Sequence, residues 1–257
     1  MIASCIVALT ILVSNQISAF DFSVSPPIIR LKLHPNSAKQ ISLDIHNRNL
    51  KELSLIAEVM ALELTQTGEA QPAQKSEWSC ADWITLSQRQ IRLLPGENRK
   101  LSVTITVPAN IAGGRYATIL FRTETPQNTE NHVKLIGQMG TIIMIESFGA
   151  KNVSGLIEGF AYQKDGKAIR FGATIRNNGN IHFKADGSIV IMDEQNRIVD
   201  RLNLESGTGT VLPGGVRRFE ATWSNPRKML PGKYQAKLNL RIPGGRGILQ
   251  DVQIFTL

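Results

Sequence analysis

Residues 94–120 read LPGENRKLSVTITVPANIAGGRYATIL, and residues 212–238 read LPGGVRRFEATWSNPRKMLPGKYQAKL, which keeps the same plan at a constant offset of 118. The positions shared by the two stretches are Leu94-Pro95-Gly96, Arg99, Pro108, Gly114, Tyr116 and Leu120 in the first copy. No gap is needed over the 27 positions, so the spacing from turn to strand to turn is retained. A weaker echo pairs Ile45-His46-Asn47 with Ile175-Arg176-Asn177. A repeat of fixed spacing indicates that one structural module occurs twice.

The repeated stretch is typical of β-structure. Residues 101–107 alternate apolar side chains with Ser or Thr, the period of a strand with one buried face and one wet face. Similar alternation occurs over residues 41–45, 115–123, 169–175, 188–192, 216–223 and 234–242. Pro-Gly, Gly-Gly, Asn-Gly and Asp-Gly pairs separate these segments as turns. Short strands with closely spaced turns predict an antiparallel sandwich or barrel.

Two segments depart from this pattern. Residues 50–64 are rich in Leu, Ala, Glu and Met and place apolar residues on one helical face, so propensity alone favours a helix. We expect a strand instead, because the second copy shows no helix there and tertiary context overrides propensity. Residues 65–81 have no periodicity and are predicted to form a long loop.

The N-terminus is the one continuously apolar part of the chain. Residues 2–13 are apolar or small, well short of the roughly 20 residues that a helix needs to cross a bilayer. Polar Ser14-Asn15-Gln16 and then Ile17-Ser18-Ala19 follow, the pattern of a secretory signal peptide. We therefore predict a signal peptide over residues 1–19 and export to the periplasm or cell surface; an uncleaved anchor or an N-terminal core strand is the alternative.

Composition and charge narrow the class of protein. The 257 residues are 42% hydrophobic and 19% charged, which excludes a disordered or coiled-coil chain. The net charge is +8, of which residues 151–257 carry +7. Arg217, Arg218, Arg227 and Lys228 are the candidates for a basic surface in this half. An exported protein meets anionic wall polymer or acidic polypeptides rather than nucleic acid, although such a charge also serves solubility alone.

The sequence lacks the patterns of catalysis and metal binding. The four histidines are scattered, and Cys80 is the single cysteine left after removal of residues 1–19. No nucleophile elbow, phosphate loop or dinucleotide fingerprint is present, so we predict no catalytic residue, no metal and no cofactor. Asp193-Glu194 reads as a hairpin tip. Trp78 is the candidate aromatic side chain for contact with a partner.

The first copy also resembles a known family. Its motifs are Val24-Ser25-Pro26-Pro27-Ile28-Ile29-Arg30, Trp83-Ile84-Thr85-Leu86-Ser87, Leu94-Pro95-Gly96-Glu97 and Pro108. In this order they resemble the N-terminal immunoglobulin-like domain of periplasmic pilus-assembly chaperones, and similar motifs occur in WxL-interacting cell-surface proteins. Together with the internal repeat, the resemblance implies an all-β chain of two tandem immunoglobulin-like β-sandwiches, over residues 20–149 and 150–257. The short apolar stretch at the N-terminus predicts no transmembrane span.

The resemblance also implies a binding site. Pilus chaperones hold the C-terminal carboxylate of a bound subunit with an Arg on the first strand and a Lys on the last strand of domain one. Arg30 matches the Arg, whereas the predicted last strand, residues 133–146, has Lys134 well upstream and none near its end. The apolar residues Ile142, Ile143 and Ile145 predict a strand edge that a partner strand covers; the alternative is an internal strand that is paired on both sides.

Two functions follow from these observations. In the first, the chain is chaperone-like and takes an extended strand of a secreted or surface polypeptide on the edge of domain one. In the second, it is a cell-envelope scaffold or wall-binding adaptor whose basic second domain contacts anionic polymer or a partner protein. Contacts with a polymer weaken steeply with ionic strength, whereas a buried strand responds little.

Export gives the first testable prediction. Because the apolar segment ends in Ile17-Ser18-Ala19, N-terminal sequencing of the protein from whole cells should give Phe20 as the first residue. Recovery of the intact chain, beginning at Met1, from the cytoplasm would contradict it.

Overall fold

The computed structural model describes residues 22–124, 137–165, 168–205, 209–224, 231–245 and 247–257. In these ranges the chain is almost entirely β, and its one helical element is the short 3-10 turn Ala81–Trp83. No helix in the described ranges has the length and hydropathy to cross a membrane. The predicted signal peptide lies outside the described residues.

The first half of the chain forms two sheets around one core. Its strands are β1 Phe22–Ser25, β2 Ile28–Leu33, β3 Ala38–Asn47, β4 Leu53–Leu64, β5 Ala70–Ala73, β6 Ile84–Leu86, β7 Gln90–Leu93, β8 Asn98–Thr106, β9 Gly114–Thr123 and β10 Gln138–Ser147. One sheet has the order β1-β3-β8-β6, and the other has the order β2-β10-β9-β4-β5 with β7 also on β4. Alternate side chains of both sheets, such as Leu43, Leu101, Leu55 and Phe121, are fully buried between them.

The second half repeats this arrangement with its own core. Its strands are β11 Gly155–Asp165, β12 Ala168–Asn177, β13 Phe183–Lys184, β14 Asp186–Met192, β15 Ile198–Asn203, β16 Thr210–Val211, β17 Val216–Trp223, β18 Lys233–Arg241 and β19 Ile248–Thr256. The sheets β11-β12-β17 and β15-β14-β18-β19 enclose Phe171, Phe219, Trp223 and Phe255. The chain is therefore all-β and consists of two tandem immunoglobulin-like sandwiches, as the sequence predicted.

The boundary predicted between residues 149 and 150 falls in the connection from β10 to β11. We propose it as the division between two domains, because each side has a separate hydrophobic core.

The two irregular segments have different outcomes. Residues 53–64 form strand β4, so context does override helical propensity there. Its central residues pair with β9 on one side, and their alternate side chains enter the core. The expectation of a long loop over residues 65–81 is wrong in part. Ala70–Ala73 returns as β5 and pairs with the end of β4, since the turn at Gly68 reverses the chain.

A buried asparagine fixes the same turn in each copy. The side-chain amide of Asn47 donates to the carbonyls of Lys51 and Leu94, both at 2.9 Å, while its Oδ1 accepts from the backbone N–H of Asn49. Asn177 does the same for Ile181 and Val211, both at 2.9 Å. Both asparagines are fully buried. The weak echo in the sequence therefore marks a real structural equivalence, in which one amide satisfies carbonyls from two segments.

Replacing this amide should destabilise the second sandwich. Asn177→Ala leaves the buried carbonyls of Ile181 and Val211 without their donor, so we expect the free energy of unfolding to fall by about 2–3 kcal/mol. Asn178→Ala, at an exposed neighbour, should change it by less than ~0.5 kcal/mol. Urea denaturation measures both variants, and equal effects would mean that the amide has no special role.

Candidate functional site

Tyr116 joins the two sandwiches. It belongs to β9 of the first half and is fully buried. The backbone N–H of His182, in the second half, donates to its phenol oxygen at 2.8 Å, and the same oxygen lies 3.0 Å from Nδ1 of His182. Which atom of the Tyr116–Nδ1 pair donates depends on the tautomer of the imidazole. In the tautomer with its proton on Nε2, the phenol O–H donates to Nδ1 and the phenol oxygen accepts from the backbone N–H.

Backbone contact supports this joint. The N–H of Gly114 donates to the carbonyl of Asn180 at 2.7 Å. Gly113 has a φ of +80° and lies so close to Asn180 that a Cβ would overlap the carbonyl oxygen of that residue. Only glycine meets both requirements at this position. The repeated Gly-Tyr motif thus brings the two halves into direct contact in its first copy.

An apolar contact lies beside the Tyr116–His182 pair. Leu62, Tyr116 and Met144 on the outer face of the first sandwich pack against Leu212 of the second. Leu212 is 7% exposed, whereas its repeat equivalent Leu94 is 61% exposed. The same Leu-Pro-Gly turn is thus a contact between the halves in one copy and a solvent-exposed tip in the other.

Several cations lie around His182. Burial lowers the pKa of His182, and the charges of Arg30, Lys151 and Lys184 lower it further, while Glu146 acts in the opposite direction. Arg30 comes from β2, Lys184 from β13, and Lys151 from the connection between the halves. The neutral imidazole is therefore the preferred form in this environment.

Among the described residues, Glu146 is the carboxylate that acts on the pKa of His182. Burial alone would raise the pKa of Glu146, but the hydrogen bond and charge of Lys151, together with His182 and Lys32, hold it below its usual range. Lys151 Nζ lies 2.8 Å from Glu146 Oε2. No ion pair is described for Arg30, Lys32 or Lys184 within the described ranges. We call Arg30, Lys32, Lys151 and Lys184 the basic cluster. Its four positive charges exceed the single negative charge of Glu146, so the cluster is suited to binding an anion.

Strand β2 gives this cluster an open strand edge. β2 pairs in parallel with β10 and lies at the end of its sheet in the described part of the chain. The carbonyls of Pro27 and Leu33 accept from the N–H groups of Ile142 and Phe148. Alternate residues of a parallel strand bond to the same neighbour, so the N–H and C=O groups of residues 28, 30 and 32 point away from β10.

The prediction of an open strand edge at Ile142, Ile143 and Ile145 is therefore wrong. These residues lie between β2 and β9 and are paired on both sides. The side chains of Ile143 and Ile145 are buried in the core, and Ile142 is half-buried on the outer face. The physical reason is the crossing of the chain at Pro26-Pro27, which lack N–H groups, end the β1 ladder and send β2 to cover β10.

Trp78 lies at the joint rather than on a free surface. Its ring lies beneath the guanidinium of Arg115, whose Cζ is 4.9 Å from the ring centroid, and packs against the apolar contact around Leu212. Another part of the side chain lines a cavity of about 380 Å³ between the halves, with Leu64, Glu77 and Pro213 in its wall. Trp78 contributes to the joint and has a limited surface for a partner.

Cys80 follows Trp78 and is fully buried. Its N–H donates to the carbonyl of Tyr116 at 3.1 Å, and burial raises the pKa of its thiol to about 12. The thiolate is therefore scarcely populated near neutral pH.

The predicted basic surface is not continuous. Arg217 is 2% exposed and lies under the Gly68 turn of the first half, where a Cβ at Gly68 would overlap its guanidinium. Arg218 is exposed, but its Nε lies 2.8 Å from Glu220. The assignment of Arg217 to a surface is thus wrong, because the first half covers it. Arg227 and Lys228 lie outside the described residues.

The sequence alone missed most of the site. Arg30 was identified from the family resemblance, but Lys184, Lys151 and His182 carried no motif. Tyr116 is a repeated residue, but the repeat does not show that it contacts the second sandwich. Within the described ranges no group of three potential metal ligands comes together. The absence of catalytic activity stays a prediction.

The fold defines a class of tandem immunoglobulin-like proteins, and comparison with known proteins adds to this description. No family model matches the sequence, and no curated protein matches it either. Among solved structures, the chain is similar to the class 5 fimbriae chaperone CfaA, with 13% identity over 91% of this chain and 98% of that one and a TM-score of 0.46.

Two further solved structures are similar to the chain. The chaperone DraB of E. coli has 12% identity over 93% of this chain and 98% of that one, with a TM-score of 0.42. A chain of the Acinetobacter baumannii CsuC-CsuE chaperone-tip adhesion subunit complex has 12% identity over 90% and 97%, with a TM-score of 0.45. Fimbrial chaperones are thus structural neighbours, as the sequence motifs predicted.

The contact between Tyr116 and His182 should stabilise the folded chain less at acidic pH. Since the pKa of His182 is lowered in the folded chain, the unfolded chain binds its proton first, and stability is lost as the pH falls from about 6.5 through the lowered value. Protonation also places a hydrogen on Nδ1, so the phenol O–H of Tyr116 can no longer donate to that atom. Thermal unfolding between pH 8 and 5 and an NMR titration of the imidazole measure the effect.

His182→Asn is the matched control, because an amide oxygen accepts at the position of Nδ1 and does not titrate. This variant should lose the part of the pH dependence that arises from His182. An unchanged profile would contradict the assignment to His182.

Proposed function

We propose that the chain is an exported, chaperone-like binding protein without catalytic activity, which takes an extended segment of a secreted or surface polypeptide along the open side of β2. One observation carries the proposal: Arg30 belongs both to the open strand edge and to the basic cluster. A polypeptide that pairs with β2 would therefore meet the cations at the joint between the sandwiches.

Backbone pairing supplies the affinity in this proposal. The outward N–H and C=O groups of residues 28, 30 and 32 give a short ladder for a partner strand. Ile28 is 39% exposed beside them and offers apolar contact. Main-chain hydrogen bonds make such binding tolerant of partner sequence, while side-chain contacts at alternate positions provide selectivity.

A carboxylate of the partner would bind in the basic cluster. In the pilus chaperones that the chain resembles, an Arg and a Lys of domain one hold a C-terminal carboxylate. Here the last strand has no such Lys, and we infer that Lys184 and Lys151 take its place beside Arg30. Charge-assisted hydrogen bonds from a guanidinium and an ammonium are stronger than neutral ones. Because Lys184 belongs to the second sandwich, the carboxylate would connect both halves.

Polymer binding by the second sandwich has less support. Its exposed arginines are largely paired with carboxylates on the same sandwich, in the pairs Arg170–Asp165, Arg176–Glu158, Arg197–Asp193, Arg218–Glu220 and Arg241–Asp186. Paired charges contribute little to attraction of a polyanion. Export itself rests on the pattern in residues 1–19 and is part of the proposal.

Two substitutions of Arg30 distinguish the contribution of its charge to partner binding from that of its backbone N–H. Arg30→Ala removes the cation and should weaken partner binding roughly ten- to hundredfold, the loss of a charge-assisted hydrogen bond of about 1.5–3 kcal/mol. Arg30→Pro also removes the outward N–H without touching the bonds to β10, so it should weaken binding further. The measurement is capture of partners from envelope extract, followed by titration with the captured protein's C-terminal peptide as free acid and as amide.

Arg218→Ala is the matched control, an exposed arginine on the other sandwich, and should bind normally. Circular dichroism must first show that the Arg30 variants fold. Equal binding of the Ala and Pro variants would contradict strand pairing, and equal binding of free acid and amide would contradict the carboxylate site. Loss of binding in Arg218→Ala, with sedimentation on purified cell wall, would favour the polymer function instead.

A further inference from the structure

A second open strand edge lies on the other sandwich. β19 pairs antiparallel with β18 along its whole length, with Ile248 opposite Arg241 and Thr256 opposite Lys233. In the part of the chain that the structure describes, no strand is hydrogen-bonded to its other side. β11 of the opposite sheet packs against β19, with the ring centroids of Tyr162 and Phe255 5.5 Å apart. This edge is nine residues long, against six in β2.

The direction of the backbone groups on β19 follows from one hydrogen bond. The N–H of Leu257 donates to the carbonyl of Gly232 at 3.0 Å, so odd-numbered residues bond to β18. The N–H and C=O groups of residues 248, 250, 252, 254 and 256 therefore point outward. The N–H of Val252 donates to the carboxylate of Asp251 at 2.7 Å. In the described part of the chain, no strand is hydrogen-bonded to the other outward groups.

The side chains on this edge are unusually apolar. Ile248, Val252 and Ile254 are 60%, 43% and 64% exposed. β19 contains no Lys, Arg or Pro, the residues with which edge strands commonly prevent pairing, and its single charge is Asp251. An edge of this kind is suited to addition of another strand.

We propose that β19 pairs with β19 of a second copy of this chain, antiparallel about a two-fold axis at Val252. In this register all nine residues overlap, and each outward N–H or C=O group faces an outward group of the second copy. Gln250 then lies opposite Ile254 of the second copy, and Asp251 lies opposite Gln253. No like charges meet, and both four-stranded sheets join into one.

Neighbouring registers are less favourable. Moving the axis to Asp251 places the two carboxylates opposite each other, which costs free energy. Moving the axis by one residue in either direction, to Asp251 or to Gln253, also shortens the overlap of the two strands. The self-complementary pattern of β19 therefore selects one register, which is the reason for choosing a second copy as the partner.

The positive charge of the second sandwich determines how dimerisation through β19 depends on salt. Lys237 of β18 lies opposite Val252, so the two copies of Lys237 would be roughly 14 Å apart across the joined strands. Salt at 0.15 M screens charges beyond about 8 Å. The repulsion is thus weak at physiological salt, and dimerisation should strengthen as salt rises. Binding of a carboxylate at the basic cluster should change in the opposite direction.

Sedimentation velocity of the mature chain over a wide range of concentrations tests the proposal. We expect a reversible monomer–dimer equilibrium. Val252→Lys places two ammonium groups at the axis on an exposed position and should weaken dimerisation at least tenfold. Ile198→Lys is the matched control: it lies on β15, the other outer strand of the same sheet, is 62% exposed and should leave the equilibrium unchanged.

Hydrogen exchange locates the interface. The amides of Gln250 and Ile254 should become protected as the concentration rises, because they point toward the second copy. A chain that remains monomeric at the highest concentration, a Val252→Lys variant that dimerises like the parent, or a dimer in which these amides stay unprotected would each overturn the proposal. Arg30→Pro should leave the equilibrium unchanged, so failure of the proposed function and failure of this dimer are distinguishable.

Discussion

The hydrogen bond between Tyr116 and His182 is the interaction on which the arrangement of the candidate site depends. The basic cluster takes Arg30 and Lys32 from one sandwich and Lys184 from the other, so it exists only while the two are held together. A buried phenol that accepts a backbone N–H and shares a hydrogen bond with the imidazole of the same residue fixes both distance and orientation. The apolar contact around Leu212 adds burial, which is not directional.

The second constraint on the candidate site is that the N-terminal segment crosses from one sheet of the first sandwich to the other. Pro26-Pro27 end the pairing of β1 with β3, and β2 continues on the opposite sheet beside β10. One crossing therefore has two effects. It removes the apolar strand β10 from the edge, where Ile143 and Ile145 would be an aggregation hazard, and it puts a strand carrying Arg30 and Lys32 at the edge instead.

Much of the fold could be predicted from the sequence, because periodicity and turns are local. The 118-residue repeat, the alternation in residues 101–107 and the Asn47–Asn177 echo all correspond to equivalent structure. The site could not be predicted to the same extent. The pairing of β2 with β10 joins residues more than a hundred positions apart, and the burial of Arg217 depends on a turn of the other sandwich. Lys184 and Lys151 were not identified because they act with Arg30 on His182 only in the folded chain, and no spacing in the sequence encodes this.

The burial of Cys80 has a practical consequence for study of the protein in solution. With residues 1–19 removed, it is the one sulfhydryl of the chain, and its protonated, inaccessible state makes it a poor target for maleimide or iodoacetamide while the fold is intact. A cysteine introduced on the surface can therefore carry a spin label or fluorophore selectively without removal of the native residue. Conversely, alkylation of Cys80 itself reports opening of the first sandwich, since the side chain lies in the core of that sandwich.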